Sequence, residues 1–174
     1  IEVSSRDLNH AYDWDNMLMD YVEGAYNDAE ANAVAQLMAD LGHSFKADYG
    51  WDGTGALPDA VAMYENYGYS PLCHYLMRDN FSLESWNNMM RNEIECGRPV
   101  YYSGYTASGE GHAFVLDGVD ANDYFHVNWG WGGASDGFFK LDALVLDDYV
   151  FDTNEWAFLG LYPMRDGVFD NWLY

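Results

Sequence analysis

Apolar residues recur three or four positions apart in the first quarter of the chain: Val34, Leu37, Met38 and Leu41. This spacing places them on one face of a helix. Asp28 can cap the start of the helix, and Gly42 can end it. The pattern therefore predicts an amphipathic helix between these two residues.

Two further helices follow from the same kind of spacing. Pro58 suits the first turn of a short helix that Gly68 ends. Ser82 can cap the next helix, and Gly97 with Pro99 can stop it. The apolar stripe of that helix consists of Trp86, Met89, Met90 and Ile94.

After residue 99 the pattern changes to short runs rich in β-branched and aromatic residues, separated by turn clusters. These runs cover residues 100–102, 113–116, 124–127, 137–141 and 156–161. Runs of this length between turn signals predict an antiparallel sheet in the second half of the chain. We expect residues 147–149 and the tail at 165–174 to form a loop and a terminus.

Composition and charge exclude several classes of function. The chain has 29 acidic and 7 basic residues, and its net charge of −22 repels nucleic acids and anionic membranes. With 49% hydrophobic residues, including 15 Tyr, 9 Phe and 7 Trp, it is too apolar for a disordered acidic tail. No apolar run has the length of a membrane span. We expect a folded domain without nucleic-acid or membrane partners. Sparse lysine together with abundant Asp, Asn, Gly and Tyr indicates a secreted bacterial surface or extracellular protein.

Neither the cysteines nor the acidic residues predict a metal or cofactor. Cys73 and Cys96 are too few for a disulfide scaffold or a four-thiolate zinc site. The acidic stretch 117–123 lacks the ligand spacing of an EF-hand and is interpreted as a solvated turn. Three histidines elsewhere in the chain also lack metal-ligand spacing: His10, His43 and His74.

The stretch from His112 onward reads as two strands joined by a polar turn. If that turn centres near Ala121 or one residue before it, His112 lies opposite Asn128 or within about two residues of it. An even register would point both side chains to the same face. An odd register would place Trp129 or Trp131 opposite the histidine instead. The sequence leaves the register open.

His112 and Asn128 form a candidate catalytic pair. A histidine held at one ring nitrogen by an amide oxygen presents its other nitrogen in a fixed tautomer, which suits a general base beside a thiol. The competing interpretation, which spacing alone favours, is that His112 only satisfies a hydrogen bond at a strand start. His126, in mid-strand, is the weaker candidate. The glycine-rich turn with Trp129 and Trp131 would by itself also suit a carbohydrate platform.

Two stretches resemble the streptopain family of secreted, papain-like cysteine peptidases of bacteria. They are Gly-His-Ala-Phe-Val-Leu-Asp-Gly-Val-Asp, from Gly111, and His-Val-Asn-Trp-Gly-Trp-Gly-Gly-Ala-Ser-Asp-Gly-Phe-Phe-Lys-Leu-Asp-Ala-Leu, from His126. The resemblance covers about residues 11–163. It implies an α+β papain-like fold with N-terminal helices and a C-terminal antiparallel sheet or barrel, incomplete at the N-terminus. The peptidase domain would occupy residues 1–163, followed by a tail at 164–174.

The resemblance also implies roles for individual residues. His112 would be the catalytic histidine, Asn128 the residue that orients it, and Trp129 the indole that shields the pair from water. Trp131 and the backbone at Gly111 would support the active site, and the loop before Gly111 would form a mobile rim of the substrate cleft.

The nucleophile of the family is a cysteine at the start of a long helix, which would precede Ile1. Cys73 and Cys96 lie where the family has no catalytic residue. The resemblance therefore implies that an upstream segment or a second chain supplies the cysteine. Protein or peptide substrates and a propeptide or inhibitor are the other implied partners, with no cofactor. The alternative is an inactive papain-like scaffold kept for binding or inhibition.

Overall fold

A computed structural model of the chain describes residues 6–51, 53–146 and 149–164. These residues form two compact units, one ending at Gly68 and the other beginning at Tyr69. The α-helices of the described ranges are α1 Asp28–Ser44, α2 Ala60–Tyr67 and α3 Leu83–Glu95. None of the described helices has the length and apolar character needed to cross a bilayer.

The predicted boundaries of α3 and the predicted end of α2 are confirmed, whereas α2 begins at Ala60 and Pro58 precedes its cap instead of lying in its first turn. At the start of α2 the Asp59 carboxylate accepts a hydrogen bond from the Ala62 N–H at 2.9 Å. Gly68 ends this helix in the left-handed conformation, with φ of 67°. At the start of α3 the Ser82 hydroxyl accepts from the Ser85 N–H at 3.1 Å. Each cap satisfies a backbone donor that the helix itself leaves unpaired.

The boundaries of α1 differ from the prediction at both ends. Asn27, rather than Asp28, caps the helix, because its side chain and that of Glu30 bond reciprocally to each other's backbone N–H. The helix also continues two residues beyond Gly42. A Cβ at Gly42 would overlap the Tyr49 hydroxyl group. At this position the glycine leaves room for the Tyr49 side chain, and it does not stop the helix.

The predicted antiparallel sheet is confirmed in the second unit. Two small hairpins accompany it: β1 Asp48–Tyr49 with β2 Thr54–Gly55 in the first unit, and β8 Val145–Leu146 with β9 Tyr149–Val150 in the second. The six strands of the main sheet, in spatial order, are β3 His74–Met77, β10 Thr153–Leu159, β4 Val100–Tyr105, β5 Gly111–Val119, β6 Phe125–Asn128 and β7 Gly137–Phe139.

β4 and β5 are longer than predicted, and two other strands of this sheet, β3 and β10, also depart from the prediction. β3 was not predicted, because it is a short edge strand whose side chains are mostly exposed and do not alternate in polarity. β10 begins three residues earlier than predicted and ends before Gly160, which has φ of 77°. The predicted tail at 165–174 lies outside the described residues.

One face of the sheet forms the core of the second unit, and α3 contributes to it. Along β5 the side chains of His112, Phe114 and Leu116 point to this face, because alternate residues of a strand share a side. His112 therefore lies at the end of a row of buried side chains. Other members of the same core include Trp86, Met90, Val100, Tyr102, Phe125, Val127 and Ala157.

A buried carboxylate lies within this core. Trp86 Nε1 donates to the Tyr102 hydroxyl at 3.0 Å, and Tyr102 donates to Glu155 Oε1 at 2.7 Å. Burial raises the pKa of Glu155 to about 7, although the bond from Tyr102 and the charge of Arg78 act in the opposite direction. The native protein therefore binds this proton more tightly than the unfolded chain does.

The raised pKa of Glu155 predicts a specific pH dependence of stability. Between about pH 4.5 and pH 7 the native state holds more protons, so the Glu155 contribution to stability falls as the pH rises. Glu155→Gln should gain on the order of 2 kcal/mol relative to wild type between pH 4 and pH 8, measured by denaturant unfolding. Glu84→Gln, which removes an exposed charge from α3, is the control. Parallel pH profiles for wild type and Glu155→Gln would contradict the prediction.

Candidate functional site

His112 is surrounded by aromatic rings. It is half-buried near the start of β5, and its ring centroid lies 4.7 Å from Trp131, 5.7 Å from Phe151 and 6.0 Å from Trp129. Trp129 is fully buried, whereas Trp131 is 45% exposed. The ring planes of both tryptophans lie within 30° of the imidazole plane. The imidazole thus packs against one buried indole and one partly exposed indole.

An extra residue in β5 changes the register on the way to this site. Next to the turn, Gly118 pairs with His126. One step further, Leu116 pairs with Val127, so Asp117 is left without a partner on β6. This arrangement is a β-bulge, which shifts the pairing by one residue.

The bulge gives the odd register beside His112. Asn128 pairs with Val115, three residues from His112, and strand alternation places these two on the face opposite His112. Continuing the register places Trp131 opposite His112, in agreement with the contact between their rings. Of the two registers that the sequence allowed, the structure has the one that brings tryptophan to the histidine.

A main-chain carbonyl contacts the imidazole. His112 Nε2 lies 2.9 Å from the Trp129 carbonyl oxygen. The side chain of Asn128 points into its own turn, where Oδ1 accepts from the Gly130 N–H at 2.9 Å. The structure therefore brings the backbone of Trp129, rather than the amide of Asn128, to the ring. The described residues provide no hydrogen-bond partner for Nδ1.

Gly111 leaves room for the ring of a tyrosine on the paired strand β4. It lies opposite Tyr105, and a Cβ at this position would come within 2.6 Å of the tyrosine ring. The loop before Gly111 closes on itself through two backbone bonds, Thr106 N–H to Glu110 O at 2.9 Å and Gly109 N–H to Thr106 O at 3.0 Å. The expected rim loop is thus a short hydrogen-bonded turn.

Two residues at the site were missed by the sequence reasoning. Asp136 Oδ1 accepts from the Trp129 N–H at 2.9 Å and so holds the glycine-rich turn. Phe151 is buried against both His112 and Trp129. Phe151 was missed because it lies in an acidic stretch whose composition predicts a loop. An aromatic residue among turn-forming residues could have indicated a buried position.

Neither cysteine is close to His112. If the registers of β3, β10, β4 and β5 are continued, Cys73 aligns with Asp117 across the sheet, three strands away from β5. The strand spacing and the rise per residue then give a separation of roughly 20 Å between Cys73 and His112. Its thiol is buried against the Gly160 carbonyl oxygen at 3.0 Å, and burial raises its pKa to about 11. Cys96 follows α3 and precedes the end of β4 that lies farthest from His112.

The acidic turn between β5 and β6 uses its carboxylates internally. Asp120 accepts from two backbone N–H groups of the turn, and these bonds lower its pKa. Asp123 pairs with Arg91 of α3 at 2.6 Å, and Asp117 contacts His126 Nδ1 at 2.6 Å. The described residues contain no group of three or more His, Cys, Asp or Glu side chains placed to hold a metal ion.

Comparison with known proteins assigns the family. The family model described as the Peptidase C10 family matches residues 2–139, more than three quarters of the chain. The chain belongs to the Peptidase C10 family. This Peptidase C10 chain is 44% identical over 135 residues to streptopain of Streptococcus pyogenes, covering 76% of the chain and 33% of streptopain. It is also 34% identical over 165 residues to the thiol protease/hemagglutinin PrtT of Porphyromonas gingivalis, covering 90% of the chain and 19% of that protein.

A solved structure confirms the papain-like α+β fold of this Peptidase C10 chain. Active wild-type interpain A, a cysteine protease of Prevotella intermedia, matches with a TM-score of 0.81 and 36% identity, covering 88% of the chain and 65% of interpain A. A prointerpain A fragment matches with a TM-score of 0.76 and 36% identity, covering 90% of the chain and 50% of the fragment. The chain spans about a third of the length of streptopain.

The packing at Gly111 predicts a cost for any side chain there. Gly111→Ala should destabilise the protein by about 1–3 kcal/mol, because the added methyl group overlaps the Tyr105 ring. Gly137→Ala is the matched control, since its Cβ would make only an ordinary 3.6 Å contact with the Phe139 ring. The measurement is the free energy of unfolding. The proposed packing is wrong if both variants are destabilised equally, or if adding Tyr105→Ser fails to relieve the effect of Gly111→Ala.

Proposed function

We propose that this chain carries the histidine half of a cysteine endopeptidase. The observation that carries the proposal is the orientation of His112, whose Nε2 contacts the Trp129 carbonyl while Nδ1 stays unpaired among the described residues. Family membership supports it, since interpain A is described as a cysteine protease and PrtT as a thiol protease. A fixed tautomer with one unpaired nitrogen suits a base beside a thiol.

In the proposed reaction, Nδ1 of His112 takes the proton of the nucleophilic thiol, and the thiolate attacks the peptide carbonyl carbon. The C–N bond breaks as His112 returns that proton to the leaving amine, which leaves a thioester. Nδ1 then accepts a proton from water, whose oxygen attacks the thioester and releases the thiol and the carboxylic acid. The Trp129 carbonyl stabilises each imidazolium state by accepting the Nε2–H bond.

We further propose that the nucleophile lies outside these 174 residues, on an upstream segment or a second chain. Cys73 and Cys96 are too far from His112 to react with it, and the Cys73 thiol is protonated at neutral pH because burial raises its pKa. The relatives leave room for such a segment, since the chain covers 33% of streptopain and 65% of interpain A.

Two broader properties complete the proposal. The substrates are proteins or peptides, and the match to a pro-form of interpain A supports synthesis with a propeptide. The net charge of −22 and the seven basic residues support secretion from a bacterial cell.

Replacing His112 tests the proposed reaction. In the complete polypeptide, His112→Ala should lower kcat/KM for peptide hydrolysis by at least about 100-fold, because the base and acid of the reaction are lost. His74→Ala, at an exposed histidine of β3, should leave hydrolysis unchanged. Wild-type rates in the His112→Ala enzyme would exclude the assignment. A wild-type protein without any hydrolytic activity would favour the inactive scaffold.

Labelling locates the nucleophile. A peptidyl chloromethyl ketone should alkylate one cysteine of the complete enzyme, and peptide mapping should place it outside residues 1–174. Cys73→Ser and Cys96→Ser should keep full labelling and activity, because neither thiol lies near His112. Active-site labelling on Cys73 or Cys96 would overturn the proposal of an external nucleophile.

A further inference from the structure

The peptide unit that joins Trp129 to Gly130 is hydrogen-bonded on both sides. Resting on the proposed function of His112, we infer that Asn128 is a positioning residue that acts on the histidine through this peptide unit, without touching the ring. Asp136 is a second positioning residue that holds the neighbouring peptide unit. The glycine-rich turn thereby determines the orientation of His112.

Two contacts involve the same rigid peptide unit. The Trp129 carbonyl oxygen lies 2.9 Å from His112 Nε2. The N–H group of the same peptide unit belongs to Gly130 and donates to Asn128 Oδ1 at 2.9 Å. Because a peptide unit is planar, fixing its N–H direction also fixes the direction of its carbonyl. The Asn128 side chain therefore sets where the acceptor of His112 points.

The preceding peptide unit is held in the same way. Its N–H group belongs to Trp129 and donates to Asp136 Oδ1 at 2.9 Å. Directly after the second anchored peptide unit the chain turns at Gly130, whose φ of 78° lies in the left-handed region that favours glycine. Two consecutive peptide units are thus each held by a side-chain oxygen, and the carbonyl facing His112 belongs to the second.

The same geometry determines the tautomer of His112. A carbonyl oxygen can only accept, so Nε2 must carry the proton, and Nδ1 is the basic nitrogen of the neutral ring. Donation from Gly130 to Asn128 polarises the peptide unit and makes its carbonyl a stronger acceptor. A stronger acceptor favours the imidazolium, which is the form that must persist beside a thiolate.

Asn128 serves only as an acceptor in this arrangement, and that distinguishes the side chains that can replace it. Aspartate offers the same acceptor oxygen to the Gly130 N–H, whereas alanine offers none. The expected loss is graded, because the Trp129 carbonyl remains present in every variant.

The test uses the complete enzyme. Asn128→Ala should lower kcat/KM about tenfold and shift the alkaline limb of its pH profile to lower pH, because a weaker acceptor stabilises the imidazolium less. Asn128→Asp should recover most of the activity and return the alkaline limb to the wild-type pH or above it. Asn88→Ala, at an exposed position of α3, should change neither.

A second measurement tests whether Asn128 and Asp136 act on the same turn. If they do, the combined Asn128→Ala and Asp136→Ala variant should lose less than the product of the two single losses. Strictly multiplicative losses would contradict the shared role. A crystal structure of the unmodified complete enzyme tests the contact itself without any variant. The inference requires His112 Nε2 within about 3.2 Å of the Trp129 oxygen and fails if Asn128 Oδ1 occupies that place.

Failure of the inference is distinguishable from failure of the proposed function. If His112→Ala abolishes hydrolysis but Asn128→Ala keeps the wild-type pH profile, only the positioning role is wrong. If His112→Ala retains hydrolysis, the proposed function is wrong and the inference falls with it.

Discussion

One extra residue in β5 determines which groups reach His112. If the register at the turn continued without the bulge at Asp117, Asn128 would pair with Leu116 and lie on the core face. The bulge moves it to the opposite face and brings tryptophan to the histidine. The side chain of Asp117 is itself fixed, because it contacts His126 Nδ1 at 2.6 Å. A local irregularity of the backbone thereby selects the surroundings of the imidazole.

The rest of the second unit keeps this hairpin in place. Arg91 of α3 donates to both Asp120 O and Asp123 Oδ1 at 2.6 Å, which ties the turn to the helix. On the core face, the row from Leu116 to Phe114 leads without interruption to the histidine. The site is therefore an extension of the hydrophobic core, and among the described residues the imidazole makes its hydrogen bond to the backbone of one turn.

The sequence predicted most of the helices and strands, but it missed β3 and the two residues Asp136 and Phe151, and it left the contacts of His112 open. Helical spacing and caps predicted α2 and α3, and β-rich runs predicted the main strands. The register between β5 and β6 could not be predicted from the sequence. A single bulged residue shifts the pairing by one position, and the pattern of polar and apolar residues does not reveal it. For the same reason Asp136 was missed, since its partner is a backbone N–H, which is identical at every non-proline position. Gly42 was misread because its constraint comes from Tyr49, a contact that helix rules do not contain.

The contact between His112 Nε2 and a backbone carbonyl bears on how this site can evolve. No codon specifies a carbonyl oxygen, so a point mutation cannot delete the group that His112 contacts. When side chains of the turn change, the direction of the carbonyl shifts, but the acceptor itself remains beside the histidine. A lineage can therefore adjust the surroundings of His112 in small steps, without first passing through a form in which the imidazole has lost its anchor.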